Sequence, residues 1–503
     1  MSITGPGSVT AANLVAQTNM FSQLNKLSLQ LGTGEASQTY AGLGAQAGVA
    51  LSLGSQLAAL GGYSTTATTV GTTLTLAQSV LTELDNAGSA VKQAVSKQTQ
   101  FTLNNNGQTS TQQSAASYLD QILSLLNTQA GDSYMFSGKA VNTPSVASSS
   151  TILNGNGGQA GFTQVMAERL QADQGASGLG RLVIPPASGT TVSVSEDVAG
   201  SPFGFKLASV SSSLTGATVT GPSGSPASVS IGLGANPNAG DSISFNLTLP
   251  DGSSQAITLQ ATTASPPGTN QFTIGATPGA TAINLQTALS GAVSTLTQSA
   301  LPAASALAAA NDFFSSDPPQ RVNGPPFNTA TSLVNGTNAN TVFWYTGENS
   351  ATPALQTATA QVGPDISVAY GMRANEPAIS TLVANVAALA AMTYSTSNPN
   401  AQASYQALCQ KVTANIDGQP GTQKVTDIEA SLANVQTAIA NAGTLNTQTQ
   451  STLQDMLQSI EGVDQNTIGE KILTLQNNLS ASLSVTARLA QISLVNYLSA
   501  PTG

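Results

Sequence analysis

A long apolar stripe near the N-terminus constrains the fold of this chain more than any other feature of the sequence. Apolar residues recur every three or four positions from Leu53 to Ala94, with one polar interruption at Ser64. Because each helical residue adds about 1.5 Å, this spacing predicts a helix of about 45 residues and about 70 Å. Thr, Gly and Gln are frequent within it and are poor helix formers, so packing against partners must stabilise it.

Apolar residues at helical spacing predict further helices on both sides of this segment. One runs from Leu14 to Leu31 and ends at the Gly-Thr-Gly of residues 32–34. Another follows a loop at Asn104–Gly107 and extends through Tyr118 to Leu126. The N-terminal end of the chain is therefore expected to be helical.

Helical spacing returns at the far end of the chain. A turn-like segment at residues 417–421 precedes a heptad-like stripe from Ile428 to Val463, and a terminal helix follows through Ile468 to Ile492. Two Thr-x-x-Glu pairs with capping-box spacing predict where these helices start: Thr426 with Glu429, and Thr467 with Glu470.

The middle of the chain has a different period. Residues 243–249 and 257–261 alternate apolar and polar around the turn sequence Pro-Asp-Gly at 250–252, which predicts a β-hairpin. We also expect a strand at Val342–Tyr345. We expect a short helix through Leu285 and Leu296, and another helix opened by Asn375-Glu376-Pro377. Ser, Gly and Pro are frequent over residues 141–280, which predicts a β-rich module with long loops, or in part a flexible surface.

These patterns predict an α+β fold. It would consist of a long antiparallel helical bundle or coiled coil built from both termini, with a β-rich outer domain inserted in the middle. At 503 residues the chain is long enough for two to four domains.

Composition excludes most kinds of catalytic site. Histidine is absent and Cys409 is the single cysteine, which excludes disulfides, zinc sites, and Ser-His and Cys-His pairs. The acidic residues Glu196, Asp197, Asp312 and Asp317 lie in loop-like sequence and are expected on the solvated surface. We therefore expect no enzyme activity, no catalytic residue, no cofactor and no metal.

Charge and hydropathy exclude two further classes of partner. The 13 cationic residues are scattered, and the net charge is −10, so the chain has no basic face for nucleic acid. The best apolar run, Leu382 to Met392, is 11 residues long, too short to insert into a membrane. No basic segment precedes a hydrophobic core at the N-terminus, so no cleaved signal peptide is expected.

The helical stripes alone leave two alternatives open: a monomeric bundle with an inserted domain, or self-assembly through the terminal helices. For the second, the residues predicted to pack between subunits are Leu24, Leu27, Leu31, Leu53, Leu57, Leu60, Leu74, Leu81, Ile439, Leu453, Met456, Ile460, Ile472, Leu475, Leu479, Leu489 and Ile492. Arg373 and Arg488 are candidates for polar contacts between subunits. Cys409 and Trp344 are expected in the core.

Four segments carry a resemblance to a known family. They are IEGVDQNTIGEKILTLQNNLSASLSVTARLAQISLVNYL at 460–498, QLGTGEASQTYAGLG at 30–44, GDSYMFSGKAVNTPSV at 131–146 and YGMRANEPAI at 370–379. In sequence and order they resemble the family of flagellin and the flagellar hook–filament junction protein. Glu35 and Ala36 depart from the basic residues common in that family.

This resemblance implies a structural subunit of the bacterial flagellum that serves motility and polymerises with itself through its terminal helices. Its other partners would be hook-associated axial proteins and an export chaperone, and it would be extracellular after type III export without cleavage. The implied layers are residues 1–45 with 464–503 innermost, 46–150 with 365–463 next, and 151–364 as an exposed variable insert. Filament subunit and junction protein both stay open, as does a secreted β-rich adhesin or fibre with helical oligomerisation ends.

Overall fold

The computed structural model describes residues 6–97, 101–418 and 420–498, and for residues 6–10 and 492–498 the backbone alone. The chain is α+β. Its α-helices are α1 (Pro6–Thr33), α2 (Ala47–Lys97), α3 (Ser110–Leu126), α4 (Ser149–Asn154), α5 (Phe162–Gln174), α6 (Pro278–Gln298), α7 (Ala300–Phe314), α8 (Pro377–Ala391), α9 (Ala401–Ile416), α10 (Val425–Glu461) and α11 (Gln465–Leu498). Short 3-10 helices occupy Tyr40–Gln46, Phe327–Thr329 and Ala354–Thr357.

The strands form small sheets. They are β1 (Gln129–Ala130), β2 (Ser133–Tyr134), β3 (Leu182–Val183), β4 (Thr191–Glu196), β5 (Lys206–Ser212), β6 (Ala217–Ser223), β7 (Ser228–Leu233), β8 (Ser242–Thr248), β9 (Ser254–Thr262), β10 (Gln271–Thr273), β11 (Gln320–Val322), β12 (Leu333–Asn335), β13 (Thr359–Gln361) and β14 (Ser367–Ala369). Two sheets have four strands, in the orders β3-β4-β7-β6 and β10-β9-β8-β5, and three have two. Within the four-stranded sheets only β9 and β10 pair in parallel.

The chain divides into two compact units. The smaller unit comprises residues 1–69, 360–368 and 437–503, and the larger comprises 70–359 and 369–436. In the smaller unit α1 and α11 pair antiparallel. Gln17 of α1 donates from Nε2 to Oγ1 of Thr486 at 2.8 Å, whereas Glu35, just after α1, forms a β-bridge with Gly462, just before α11. The two helices therefore run in opposite directions.

A second antiparallel contact in the smaller unit joins the first part of α2 to the last part of α10. Leu53, Leu60 and Leu453 form one buried apolar cluster, against which Tyr63 and Ile460 pack. Asn446 is buried and donates to the Val362 carbonyl at 2.7 Å, which satisfies a polar group that water cannot reach.

The larger unit contains a β-layered core. Burial alternates along β4, β7 and β8, so that every second side chain faces inward, as a sheet with one buried face requires. Inward side chains of both four-stranded sheets and of α6 join in one hydrophobic cluster. The predicted hairpin is confirmed: β8 pairs with β9, and Phe245 lies opposite Ile257.

The helical part of the larger unit is built around α7 and α8. Nearly every side chain of these two helices is buried, and both are rich in Ala, since a helix enclosed on all sides must be apolar all round. The rings of Phe162 and Trp344 each contact that of Phe314, the last residue of α7, in tilted or edge-on arrangements with centroids 5.2 and 5.6 Å apart. The Trp344 indole donates to the Phe314 carbonyl at 2.9 Å. Trp344 is therefore a core residue, as predicted.

Most predicted helices are confirmed. α1, α2, α3, α8, α10 and α11 cover the predicted segments, and α6 is longer than the short helix expected there. One prediction in the middle of the chain is wrong. Val342–Tyr345 is not a strand, because Thr341 and Tyr345 form only isolated bridges with Ala160 and Val146. Residues 151–364 also include the unpredicted helices α5 and α7: the buried face of α5 contains Arg169 and Asp173 among its apolar residues, and α7 is buried on nearly all sides.

The predicted helix caps are misplaced by two or three residues. Helix α10 already begins at Val425, and the Asp427 carboxylate accepts from the Lys424 amide at 2.8 Å. Helix α11 restarts where expected, but Asp464 is its cap: Oδ1 accepts from the Asn466 amide at 2.9 Å, and Oδ2 accepts from the hydroxyl of Thr467. A carboxylate outcompetes a hydroxyl here because it also complements the positive end of the helix dipole.

The prediction of solvated acidic residues is confirmed for Asp197 and Asp317, which are exposed, and is wrong for Glu196 and Asp312. Glu196 is buried at the end of β4 and accepts from the Leu207 amide at 3.0 Å. Asp197 pairs with Arg181 at 2.7 Å, and Asp312, on α7, pairs with Arg169. Glu196 and Asp312, which are withdrawn from solvent, each lie within ion-pair distance of a cation, Lys206 and Arg169.

Candidate assembly surface

The smaller unit presents an unusually apolar exterior. Of the eighteen large apolar side chains that are exposed in the described part of the chain, thirteen belong to this unit, which holds fewer than a third of the residues. They are Leu14, Val15, Phe21, Leu29, Leu31, Tyr40, Val49, Leu51, Leu445, Met456, Leu473, Leu483 and Val485. A concentration of large exposed apolar side chains in one part of a protein is typical of an interaction surface.

The sequence of the paired helices explains this exterior. Residues 6–25 of α1 contain no charged side chain, and Arg488 is the one charge between Ile472 and Leu498 of α11. On α11, Leu479 is buried against the pair, whereas Leu473 is 63% exposed and Val485 is 53% exposed. Each helix therefore has one apolar face for its partner in the chain and a second that faces solvent.

An open groove runs between α1 and α11. Lys26 and Gln30 line one wall, and Glu470, Lys471 and Leu475 line the other. The groove is lined by amides, hydroxyls, three charged groups and two leucines, so it offers both polar and apolar contacts to another chain.

The structure places the residues that were predicted to pack between subunits in three groups. Buried within the chain are Leu53, Leu60, Leu74, Leu81, Ile439, Leu453 and Leu479; partly buried are Leu24, Leu27, Leu57, Ile460, Ile472, Leu475 and Leu489; exposed are Leu31 and Met456. The side chain of Ile492 lies outside the described residues. Most of the predicted stripe thus packs inside its own chain.

Sequence reasoning missed part of the outward face. Val15, Leu29, Leu473 and Val485 lie off the main stripes but are large, apolar and exposed. The available signal was an apolar residue directly beside a stripe position, as Leu473 is beside Ile472, in a helix almost free of charge.

Arg373 and Arg488 have different surroundings. Arg373 donates to the carbonyls of Ser350 and Thr352 at 2.8 and 2.7 Å, so its guanidinium is largely satisfied within the chain. Arg488 is exposed on α11. Only the second has its charged end facing solvent.

Two of the segments that carry the family resemblance meet in the larger unit. The Ala374 amide donates to the Phe136 carbonyl at 2.8 Å, and the Gly138 amide donates to the Met372 carbonyl at 3.1 Å. Gly138 has φ +63°, and a Cβ at this position would lie 2.8 Å from a Glu348 carboxylate oxygen, so glycine is required. Residues 131–138 and 370–374 therefore act as one structural element.

The buried charges of the larger unit form a structural network. Arg169 donates from Nε to Asp173 at 3.1 Å and from Nη1 to Asp312, and it lies over the Phe203 ring at 5.1 Å. Burial raises the pKa of both carboxyls above 3.8, although Arg169 opposes the shift. With both carboxylates held by the same guanidinium, the network ties α5 to α7.

Other chemistry is poorly supported by the described residues. Among them no group of three or more His, Cys, Asp or Glu side chains could hold a metal ion. Cys409 is buried on α9, and burial raises the pKa of its thiol to about 11, which leaves little reactive thiolate at neutral pH.

One helical stretch, Tyr40–Lys97, passes a test of length and mean hydropathy for crossing a membrane, which the sequence reasoning did not predict. Its most apolar 18-residue window has a mean hydropathy of 1.2. The Leu stripe of this stretch is buried in the chain at Leu53, Leu60, Leu74 and Leu81. Within that most apolar window, however, 17% of the residues are buried, and Val49 and Leu51 of the same stretch are exposed.

Comparisons with known proteins add little. No family model matches the sequence, and no curated protein matches it. The crystal structure of FlgL from Xanthomonas campestris matches 80% of this chain and 98% of that chain, at 13% identity and a TM-score of 0.31. A score this low carries no argument about this chain, whose function has to be inferred from its own residues.

Proposed function

We propose that this chain is a non-catalytic structural subunit of the bacterial flagellum that assembles with copies of itself through its terminal helices. The observation that carries the proposal is the paired α1 and α11, which expose a second apolar face to solvent. The resemblance of residues 460–498 and 30–44 to the flagellin and junction-protein family supports the same function.

The physical argument is the free energy of covering that face. Burying a Leu or Val side chain stabilises an association by about 1.5–3 kcal/mol. Leu14, Leu473 and Val485 each expose more than half of their surface, so contacts with a neighbouring copy would add several such contributions. Repetition of one contact along a polymer makes a modest interface sufficient.

The rest of the proposal comes from the same family resemblance. The terminal helices would be the inner layer of a helical tube, the longer helices the next layer, and the β-layered region the exposed part. Hook-associated axial proteins and an export chaperone would be its other partners. Export would need no cleaved signal peptide, and the subunit would work outside the cell as a filament subunit or junction protein.

The test is to place charge on the outward face. We expect Leu14→Asp with Leu473→Asp to raise the critical concentration for polymerisation at least about tenfold, since two apolar burials are lost and two charges are desolvated. Pelleting and negative-stain electron microscopy of the purified full chain would measure this, and circular dichroism would report the fold.

Ile283→Asp is the matched control. Ile283 is 57% exposed on α6 of the larger unit, so this variant adds the same kind of charge at a similar exposure. Polymerisation like that of the wild type is expected from it. If the double variant still forms polymers at the wild-type concentration, the proposal is wrong; stable trimers in place of polymers would favour the adhesin or fibre alternative.

A further inference from the structure

The two units differ in whether their charged side chains form ion pairs. All eight ion pairs in the described part of the chain lie in the larger unit, including the buried pairs of Arg169 and Arg181. Across residues 11–69, 360–368 and 437–491 no ion pair forms, although Lys26, Lys471 and Arg488 are all exposed there. The smaller unit thus leaves its cations without a carboxylate partner.

The cations of the paired helices have different surroundings: Glu470 lies in the same groove as Lys26 and Lys471, whereas the sequence of α11 beyond Lys471 contains no carboxylate near Arg488. Glu35 and Glu461 lie at the turn where the chain leaves α1 and enters α11, and Asp455 lies less than two helical turns before Glu461. Arg488 is 27 residues beyond Glu461, about 40 Å along the helix at 1.5 Å per residue. No side chain spans that distance, so Arg488 cannot meet Glu461 within one chain.

Arg488 lies beside an exposed apolar residue of α11. Val485, one turn away on the same side of α11, is exposed, and no other charged residue occurs between Ile472 and Leu498. A neighbour that covers Val485 also removes Arg488 from water. Desolvating an unpaired guanidinium is costly, whereas a carboxylate supplied by that neighbour offsets the cost.

We propose that Lys26, Lys471 and Arg488 of one copy pair with the carboxylates of Glu35, Asp455 and Glu461 of an adjacent copy, which fixes the register of assembly. This pairing rests on the proposed function, and it adds which surfaces of two adjacent copies face each other. Cations on one part of a copy that bind carboxylates on a different part of its neighbour form a heterologous interface, which propagates into a ring or an open helix rather than closing as a two-fold dimer.

Two charge-reversed variants of the full chain test the pairing. One carries Lys26→Glu, Lys471→Glu and Arg488→Glu; the other carries Glu35→Lys, Asp455→Lys and Glu461→Lys. Asp464 is left unchanged because it caps α11. Each variant alone is expected to raise the critical concentration at least about tenfold, because like charges then face each other. An equimolar mixture is expected to polymerise near the wild-type concentration.

The control carries Lys97→Glu, Lys139→Glu and Lys424→Glu in the larger unit, all exposed and outside the eight ion pairs. It changes net charge as much as the first variant does, and wild-type polymerisation is expected from it. Raising the salt concentration from about 0.05 to 0.5 M should weaken wild-type assembly. It should also reduce the difference in critical concentration between the wild type and the variants.

The outcomes separate the two proposals. If the wild type polymerises but the reversed variants do so equally well alone, or their mixture fails to recover, the charge pairing is wrong and the proposed function stands. If the wild-type chain forms no polymer under any of these salt conditions, the proposed function fails as well.

Discussion

The larger and smaller units of this chain distribute the same residue types in opposite ways. The larger unit buries its leucines and phenylalanines in a shared core and pairs Arg169, Arg181 and Arg321 with carboxylates of its own. In the smaller unit, large apolar side chains face solvent and the cations lack ion-pair partners among the described residues. The first unit completes its own packing, whereas the second leaves a surface that another chain can complete.

Helix composition shows why the two units differ. Helix α8 buries all but two of its residues because neighbouring helices surround it, so its Ala and Leu are already covered. Helices α1 and α11 have chiefly each other, and a two-helix contact covers one side of each helix. An apolar residue on the other side is stabilised only by an additional partner.

The largest expected effect is the loss of stability when a buried leucine of the larger unit is shortened, compared with an exposed leucine of the smaller unit. Leu119 of α3 is fully buried, so Leu119→Ala should lower the free energy of unfolding by about 2–5 kcal/mol. Leu29→Ala, at a side chain that is 52% exposed on α1, should change it by less than about 0.5 kcal/mol and instead weaken polymerisation. Urea denaturation and pelleting measure the two properties; equal losses of stability would contradict the comparison.

A smaller effect is expected from a buried amide. Gln112 completes a capping box with Thr109 at the start of α3, and its Nε2 donates to the carbonyls of Leu389 and Met392 at 3.0 and 2.6 Å. Gln112→Leu leaves those acceptors unsatisfied and should cost about 1–3 kcal/mol in urea denaturation. Gln23→Leu, in the exposed groove of the smaller unit, is the control and should leave the stability of the single chain unchanged.

The smallest expected effect concerns the pH dependence of stability, which should have opposite signs for Asp312 and Asp464. Burial raises the pKa of Asp312 above 3.8, so the folded larger unit binds this proton more tightly, and the contribution to stability falls as pH rises through the raised pKa. Hydrogen bonds from Thr467 and Asn466 lower the pKa of Asp464, so its contribution is present above pH 3.8 and is lost as pH falls through the lowered value.

Hydrogen exchange of peptides from α7 and α11, with intrinsic rates corrected between about pH 3 and 6, measures both slopes. Asp312→Asn should flatten the first, and Asp464→Asn, which keeps a capping side chain, should flatten the second. Slopes of the same sign that persist in both variants would contradict this assignment.

Sequence reasoning succeeded where a local pattern had one structural solution. The three- and four-residue spacing from Leu53 to Ala94 predicted α2, and alternation around Pro250–Gly252 predicted the β8–β9 hairpin, because both periods follow from backbone geometry alone. It failed at α7, where Ala-rich sequence is buried on all sides and has no period to detect. It also failed at Asp312, whose partner Arg169 is 143 residues away in the sequence.

For the assembly surface, the sequence by itself determined that both ends are long, charge-poor helices with apolar stripes, since spacing and composition are local properties. Only the tertiary structure decided which side of each stripe is already covered, because that depends on how α1 meets α11 and how α2 meets α10. The pairing of Gln17 with Thr486 turns Leu479 inward and leaves Leu473 in solvent. Two residues of the same type, six positions apart, thus differ because a helix packed on one side buries only that side.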